Sequence, residues 1–317
     1  MNEQGNYEAS NAGIVRALHV LSGVATKTPI LPVDGPAGRF WLKPESLQPV
    51  GAFKLRGAYH RLAALSEKER AAGVVAFSSG NHAQGVAWAA RKLGIRATIV
   101  MPADAPRAKR LATEALGGEV VPYDRATESR ERIAAALAAE RGAVLVPSFD
   151  DPWVIEGQGT IGLEAAGQMG RAPARVVVPC GGGGLAAGIA LAIPGSEIVV
   201  VEPEGWDEMG RSLLSGAIVE VGPKPPTTRC DALQTIRVAD RTFSVLQDAG
   251  ARGVAVSEEE IEVAIRLAFD RLQLVAEAGG AVALAAMLAG KVDVVPETLV
   301  ILSGGNIDPA DFAEIIR

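Results

Sequence analysis

An α/β fold made of two open, twisted parallel-sheet lobes is predicted by three observations. From Gly73 short apolar runs alternate with helical patterns, first to about residue 149 and again from Arg175. Strands separated by helices of that length pair in parallel and are covered on both faces. At 317 residues the chain exceeds what one hydrophobic core ordinarily organises, so two lobes are expected. Four consecutive glycines, Gly181 to Gly184, stand between a strand pattern and a helix pattern.

In the first run, residues 74–77 (Val-Val-Ala-Phe) form a strand and are followed by Ser-Ser-Gly and a helical pattern from Asn81 to Leu93. Residues 97–101 are the next strand, and a basic helix follows over 107–116. Strands at 119–123 and 143–146 bracket a third helix rich in Ala, Arg and Glu. The segment from about 76 to 149 therefore reads as one compact lobe. The second run has strands at 175–179, 197–201, 253–256 and 298–302, with helices at 185–191, 258–272 and 280–288 between them. Residues 218–240, rich in Pro, Thr and polar side chains, are expected to wrap the surface.

Composition removes several classes of function. A net charge of −6 with no basic stripe gives nucleic acid nothing to bind. Every apolar run is broken by charge, proline or glycine well short of a membrane span. The start, Met1-Asn2-Glu3-Gln4-Gly5, shows no secretory leader, and Cys180 and Cys230 have no metal-binding spacing. They are expected to be reduced thiols of a cytoplasmic protein. Three histidines, His19, His60 and His82, are too few for a multi-histidine metal centre. No Gly-x-Ser-x-Gly elbow supports a serine hydrolase.

Three separated motifs carry the chemistry. Lys54 lies in Val50-Gly51-Ala52-Phe53-Lys54-Leu55-Arg56-Gly57-Ala58. A Lys-x-Arg pair is more often a solvated helix face, but small residues and Phe53 here supply an apolar pocket, and burial lowers lysine pKa. Gly181 to Gly184 and Leu185 open a helix, where N–H groups unobstructed by Cβ atoms suit a phosphate. Ser78-Ser79-Gly80-Asn81-His82 follows a strand and opens a helix, a ligand-binding position in open sheets as well as a natural N-cap. Together they describe a phosphate-bearing cofactor on a covalent anchor. A rival remains at the glycine loop: Gly182-x-Gly184-x-x-Ala187 with Glu202 ending the next strand also matches a dinucleotide fingerprint.

At these residues the chain resembles the fold-type II pyridoxal-phosphate enzymes, specifically the threonine/serine dehydratase and serine racemase branch. The resemblance runs from about Thr28 to Asp308, with the motifs in the family's order and Glu45, Val50, Ala52, Phe53, Lys54 and Gly57 at the lysine motif's spacing. It implies the tryptophan synthase β-like fold, with residues 1–75 and 150–317 as the larger cofactor-binding domain and 76–149 as the small substrate-closing domain. It implies a homodimer, and a Schiff base between pyridoxal 5'-phosphate and Lys54. By the same resemblance Phe53 would lie beside the cofactor, Asn81 on its phenolic oxygen, Gly181 to Gly184 and Leu185 on its phosphate, and Ser303 on its ring nitrogen. Ser78, Ser79, Gly80, Asn81 and His82 would receive the substrate carboxylate, with Ser79 on the face opposite Lys54. Glu202, Glu208 and the Trp206 carbonyl would hold a divalent cation, magnesium or calcium.

A neutral hydroxyl at Ser303 keeps the ring a weak electron sink, which favours prompt loss of a β-leaving group. The implied reaction is dehydration of an L-β-hydroxy-α-amino acid such as serine or threonine to a 2-oxo acid and ammonia. An amino-acid racemase is the first alternative; a nicotinamide oxidoreductase and a non-catalytic amino-acid sensor follow. Two departures stand out: Ala52 where many dehydratases have Ser, and Cys230-Asp231-Ala232 for the family's Ala-Asp-Gly. The chain stops soon after Ser303, so the expectation is a catabolic enzyme without a regulatory domain.

Overall fold

The computed structural model describes residues 7–105 and 107–317. The segment bearing on a leader, Met1 to Gly5, lies outside the described residues. In chain order the elements begin with α1 (Asn11–Val20), the hairpin β1 (Leu31–Gly35) and β2 (Gly38–Pro44), α2 (Lys54–Ala63) and α3 (Glu67–Ala72). Next come β3 (Val74–Phe77), α4 (Asn81–Leu93), β4 (Ala97–Pro102), α5 (Arg107–Ala115), β5 (Glu119–Tyr123), α6 (Arg130–Arg141) and β6 (Val144–Leu145). The long α7 (Pro152–Met169) leads to β7 (Arg175–Pro179), α8 (Gly184–Ala192), β8 (Glu197–Pro203) and α9 (Glu208–Ser215). The chain closes with α10 (Asp240–Asp248), β9 (Arg252–Val256), α11 (Glu258–Leu272), α12 (Ala278–Leu288), β10 (Thr298–Leu302) and α13 (Pro309–Ile315).

Among the described residues the strands form two sheets, ordered β1-β2-β10-β7-β8-β9 and β5-β4-β3-β6. The larger sheet is not parallel throughout. Its edge pair β1–β2 is antiparallel, with Leu31 opposite Leu42 and Gly35 opposite Gly38. Pro36 and Ala37 alone connect the two strands, and so short a link permits only antiparallel pairing. The remaining pairings are parallel.

Period-two alternation sorts the central strands between two cores. Leu299 and Ile301 of β10 join Val176, Val178, Ile198 and Val200 against α7 and α8. Val300 and Leu302 join Val177, Val199 and Val201 against α11 and α12. Each such side chain contributes roughly 1.5–3 kcal/mol on burial, so these two faces hold the larger lobe together. In the smaller sheet Val74, Ala76, Ile99 and Met101 pack with α4 and with Ala58 and Leu62 of α2. Val75 and Val100 face Ala134 and Ala138 of α6. A lobe boundary at residue 75 therefore falls inside β3, and α2 packs into the smaller core although it precedes that boundary.

Residues 216–239 carry only a short 3₁₀ turn, Asp231–Leu233, and lie over the surface with Cys230, Leu233 and Val238 tucked inward. No described helix is long and apolar enough to cross a membrane.

Candidate active site

The lysine motif is pinned to the end of the central strand. Gly51 turns the chain at φ 71°, where a Cβ would meet the Asn306 side chain at 2.4 Å. Ala52 then bridges Gly304, and the Phe53 N–H donates to the Ser303 carbonyl at 3.1 Å. These contacts place Lys54, the first residue of α2, over the carboxyl end of β10. Its Nζ donates to the Ser148 carbonyl at 2.8 Å and lies 5.1 Å from the centre of the Phe53 ring. Burial without a carboxylate partner lowers its pKa to about 8.

Arg56, two residues on, has a different fate. It is fully buried and bonded to Glu45 at 2.8 and 3.0 Å and to Glu164 at 3.1 Å. Lys43 bonds the same Glu164 at 2.6 Å. This balanced cluster anchors α2 from below, whereas Lys54 faces the cavity.

Ser78 to His82 join β3 to α4. The Ser78 N–H donates to Val100, and its hydroxyl accepts from the Gly80 N–H at 3.2 Å. Asn81 opens α4 and donates through Nδ2 to Glu277 at 2.5 Å. His82 is buried and its Nε2 donates to the Val146 carbonyl at 2.9 Å. Burial first, and then the Lys54 charge, hold its pKa down near 3, so the ring is neutral and serves as a structural donor.

Gly181 to Gly184 carry β7 into α8. Gly183 sits at φ 86° and precedes the first helical turn, whose N–H groups have no intrahelical acceptor. A Cβ at Gly183 would lie 2.6 Å from Met209 Cε, and one at Gly182 would lie 2.3 Å from the Phe149 ring. The glycines thus serve close packing as well as exposed N–H groups. The Thr242 hydroxyl fixes the loop from beneath by donating to the Gly182 carbonyl at 2.8 Å.

These segments converge. One cavity of about 560 Å³ is lined by Phe53, Lys54, Ser78, Ser79, Gly80, Asn81, His82, Gly181, Gly182, Gly183, Gly184, Leu185 and Ser303. It is also lined by residues that local sequence gave no reason to select: Ser148, Phe149, Arg130, Thr235 and Glu277. Arg130 stacks 5.5 Å over the Phe77 ring, one residue before the Ser78 loop. Glu277 is buried, and its pKa is raised to about 7 by burial and then by Asp231.

The acidic loop lies elsewhere. Glu202, buried at the end of β8, accepts the Met209 and Gly210 N–H groups of α9 at 2.9 and 2.8 Å. It does not line the cavity, so the dinucleotide reading has no ribose acceptor there. Both oxygens of Glu208 are buried without a hydrogen-bond partner. Burial raises its pKa to about 8; Glu202 is raised by burial and then by Glu208. The Trp206 indole donates to the Pro226 carbonyl at 2.8 Å. Two crowded acids, one of them with both oxygens orphaned, suit a hard cation chemically. Among the described residues, however, no group of three or more His, Cys, Asp or Glu is placed to hold a metal.

The family comparison agrees with this geometry. Residues 21–304 match the pyridoxal-phosphate dependent enzyme family. The chain is 39% identical to the L-threo-3-hydroxyaspartate ammonia-lyase of Saccharomyces cerevisiae, over 96% of this chain and 95% of that one. It is 44% identical to the L-threonine ammonia-lyase of Thermotoga maritima, over 86% of this chain and 68% of the longer relative. Among solved structures, maize serine racemase superposes with a TM-score of 0.90 at 32% identity, covering 97% of each chain. A cavity that joins a lysine of lowered pKa to a glycine-rich helix start is what such a cofactor needs, and the match spans nearly the whole chain: the protein belongs to the pyridoxal-phosphate dependent enzymes.

Proposed function

We propose that this chain is an ammonia-lyase that dehydrates an L-β-hydroxy-α-amino acid to a 2-oxo acid and ammonia, with Lys54 as cofactor anchor and base. The observation that carries the reading is the convergence of Lys54, the Asn81 loop, the glycine loop and Ser303 on one cavity. Bound there, pyridoxal phosphate supplies an electron sink for charge developing at the substrate Cα. At neutral pH a lysine of pKa about 8 has roughly one molecule in ten as free amine, against roughly one in a few thousand for an ordinary lysine. Lys54 is therefore suited first to hold the cofactor's aldehyde carbon. With its amine free, Lys54 Nζ would be placed to accept the Cα proton.

The N–H groups at the start of α8 would hold the phosphate, and Asn81 would donate to the phenolic oxygen. The Ser78–His82 loop would take the substrate carboxylate. Ser303 offers the ring nitrogen a hydroxyl rather than a carboxylate, which favours departure of the β-hydroxyl over long-lived charge at Cα. Similarity to hydroxyaspartate and threonine ammonia-lyases supports the substrate class. A racemase reading is kept because Ser79 lines the same cavity and a racemase is a close structural neighbour.

Three further readings belong to the proposal. Glu202, Glu208 and the Trp206 carbonyl would bind magnesium or calcium beneath the glycine loop, where the orphaned Glu208 oxygens support it. Residues 76–149, with α2 packed against them, would close over substrate, and the protein would act as a homodimer in the cytoplasm.

Borohydride reduction of the cofactor-loaded protein followed by peptide mapping should place the pyridoxyl group on Lys54. A keto-acid assay over serine, threonine and 3-hydroxyaspartate should give turnover with at least one. Label on another lysine, or a protein that pyridoxal phosphate cannot colour, overturns the proposal.

A further inference from the structure

We propose that Glu277 is a positioning residue whose carboxylate holds the Asn81 amide nitrogen in place and thereby fixes the hydrogen bond that Asn81 offers the cofactor. The inference rests on the reading of Asn81 as a cofactor ligand made above.

A chain of donors and acceptors sets the amide's orientation. Asn306 Nδ2 donates to the Val50 carbonyl at 2.8 Å, and a carbonyl only accepts, so the nitrogen of Asn306 is identified. The same Nδ2 donates to Asn81 Oδ1 at 2.7 Å. Asn81 must therefore turn its nitrogen the other way, where it donates to Glu277 Oε1 at 2.5 Å. One N–H of that nitrogen is used and the second is left for the cavity that Asn81 lines.

The fold is built to admit this contact. Glu277 stands at the N-cap of α12, yet its side chain makes no cap bond. Its backbone N–H donates to the Gly304 carbonyl at 3.1 Å, which places the carboxylate beside that glycine. A Cβ at Gly304 would lie 2.0 Å from Glu277 Oε1 and 3.1 Å from Asn81 Nδ2. Residue 304 can only be glycine while Glu277 occupies this place.

Glu277 also forms part of the wall between the main cavity and a second one of about 320 Å³. The charged groups around it come from several elements. Asp231, on the 3₁₀ turn, raises its pKa, and Lys109 of α5 lowers it while pairing with Asp231. Arg229 and Asp308 line the second cavity with it. From α4, Gln84 lines that cavity as well, and the neutral His82 is turned toward Val146. With its pKa near 7, the carboxyl changes charge close to neutral pH. Ionised, it accepts the Asn81 N–H as a charge-assisted bond. Protonated, it becomes a weaker acceptor, while the Asn81 oxygen is already occupied by Asn306.

Two readouts independent of turnover test this. In the cofactor-free protein, the Asn81 side-chain amide NMR signals should titrate with a midpoint near 7. In Glu277→Gln, which can still accept from Nδ2, they should not respond to pH. Visible-absorbance titration with pyridoxal phosphate should show Glu277→Gln within about threefold of the parent affinity and Glu277→Leu about tenfold or more weaker. Asn81→Ala should weaken binding similarly, and adding Glu277→Leu to it should cost little more. Asn81 side-chain signals with the same shifts and the same pH response in the parent and in Glu277→Gln overturn the positioning role, whether or not the Leu variant folds. A folded Leu variant of parental affinity does the same when Asn81→Ala binds weakly. Parental affinity in Asn81→Ala instead overturns the ligand assignment beneath it, and the inference with it.

Discussion

Lys54 is held where a charge is costly, and its usefulness follows from that cost. Only the neutral amine attacks an aldehyde, and burial has brought its pKa down to about 8. The rate at which cofactor-free protein takes up pyridoxal phosphate should therefore rise with pH through about 8 and level off above it, as stopped-flow absorbance would show. An unchanged rate across that range would mean that the amine is not the titrating group. Ser79 bears on a different question. Elimination needs proton removal on one face only, whereas racemisation needs a donor on each. Ser79→Ala should abolish any D-amino acid formed while keeping keto-acid production within about threefold, a split resolved by chiral chromatography beside a keto-acid assay. D-isomer in excess of keto acid from the parent would instead make the protein a racemase. Lys54 and Ser79 could be selected from sequence because their motifs are local. Glu277 could not: its partner Asn81 is 196 residues away, and the chain nearby shows only an acid before Gly279 and Gly280.

Elements were legible where a single physical rule dominates. The strands at 175–179 and 298–302 read correctly because a parallel strand covered on both faces is a continuous apolar run. Local sequence does not single out helix α7, since Gly157, Gly159, Gly162 and Gly167 argue against a helix. Packing overrides that preference. A Cβ at Gly157 would lie 2.5 Å from Gly57 Cα, and one at Gly159 would lie 2.6 Å from the Gly188 carbonyl. Gly157 and Gly159 let α2 and α8 approach α7 closely, so at these positions the tertiary contact requires what local preference disfavours. The same logic predicts the effect of a methyl group in the glycine loop. Gly183→Ala would strain a residue at φ 86° and press on Met209 and Thr242. It should cost about 1–3 kcal/mol and weaken pyridoxal phosphate binding about tenfold or more, measured by denaturant unfolding and absorbance titration. Beneath the loop, magnesium or calcium should raise the melting temperature of the parent and leave Glu202→Ala/Glu208→Ala unchanged, because a ligand of the native state stabilises by mass action. Equal melting with cation and with chelator would rule the site out.

At the scale of the whole molecule, two of the contacts that join the smaller sheet's helices to the larger lobe beside the cavity are Lys109 of α5 with Asp231 and Asn81 of α4 with Glu277. Neither could be read from hydrophobic pattern, which reports burial and not the partner across a cleft. The proposed homodimer is checked by sedimentation equilibrium, where a monomer at micromolar concentration would refute it. Lys54 links this molecular scale back to the chemistry. A lysine whose native pKa is about 8, against 10.5 in the unfolded chain, binds a proton less readily when folded. Between those values the unfolded state carries more protons, so stability rises with pH. Below about 8 the cost of the buried charge is felt in full, and above about 10.5 it is gone. The shift corresponds to at most about 3 kcal/mol, and the partial exposure of Lys54 to the cavity reduces it to about 1–2 kcal/mol. Cofactor-free Lys54→Met should therefore be more stable than the parent at pH 7 by about that amount. The difference should shrink between pH 8 and 10.5 as the parent loses its buried charge. Urea unfolding of both proteins across that range cancels the titration of every other group. A Met variant less stable than the parent at pH 7 would show that the Ser148 hydrogen bond outweighs the burial of charge, and that the fold does not give up stability to keep this amine reactive.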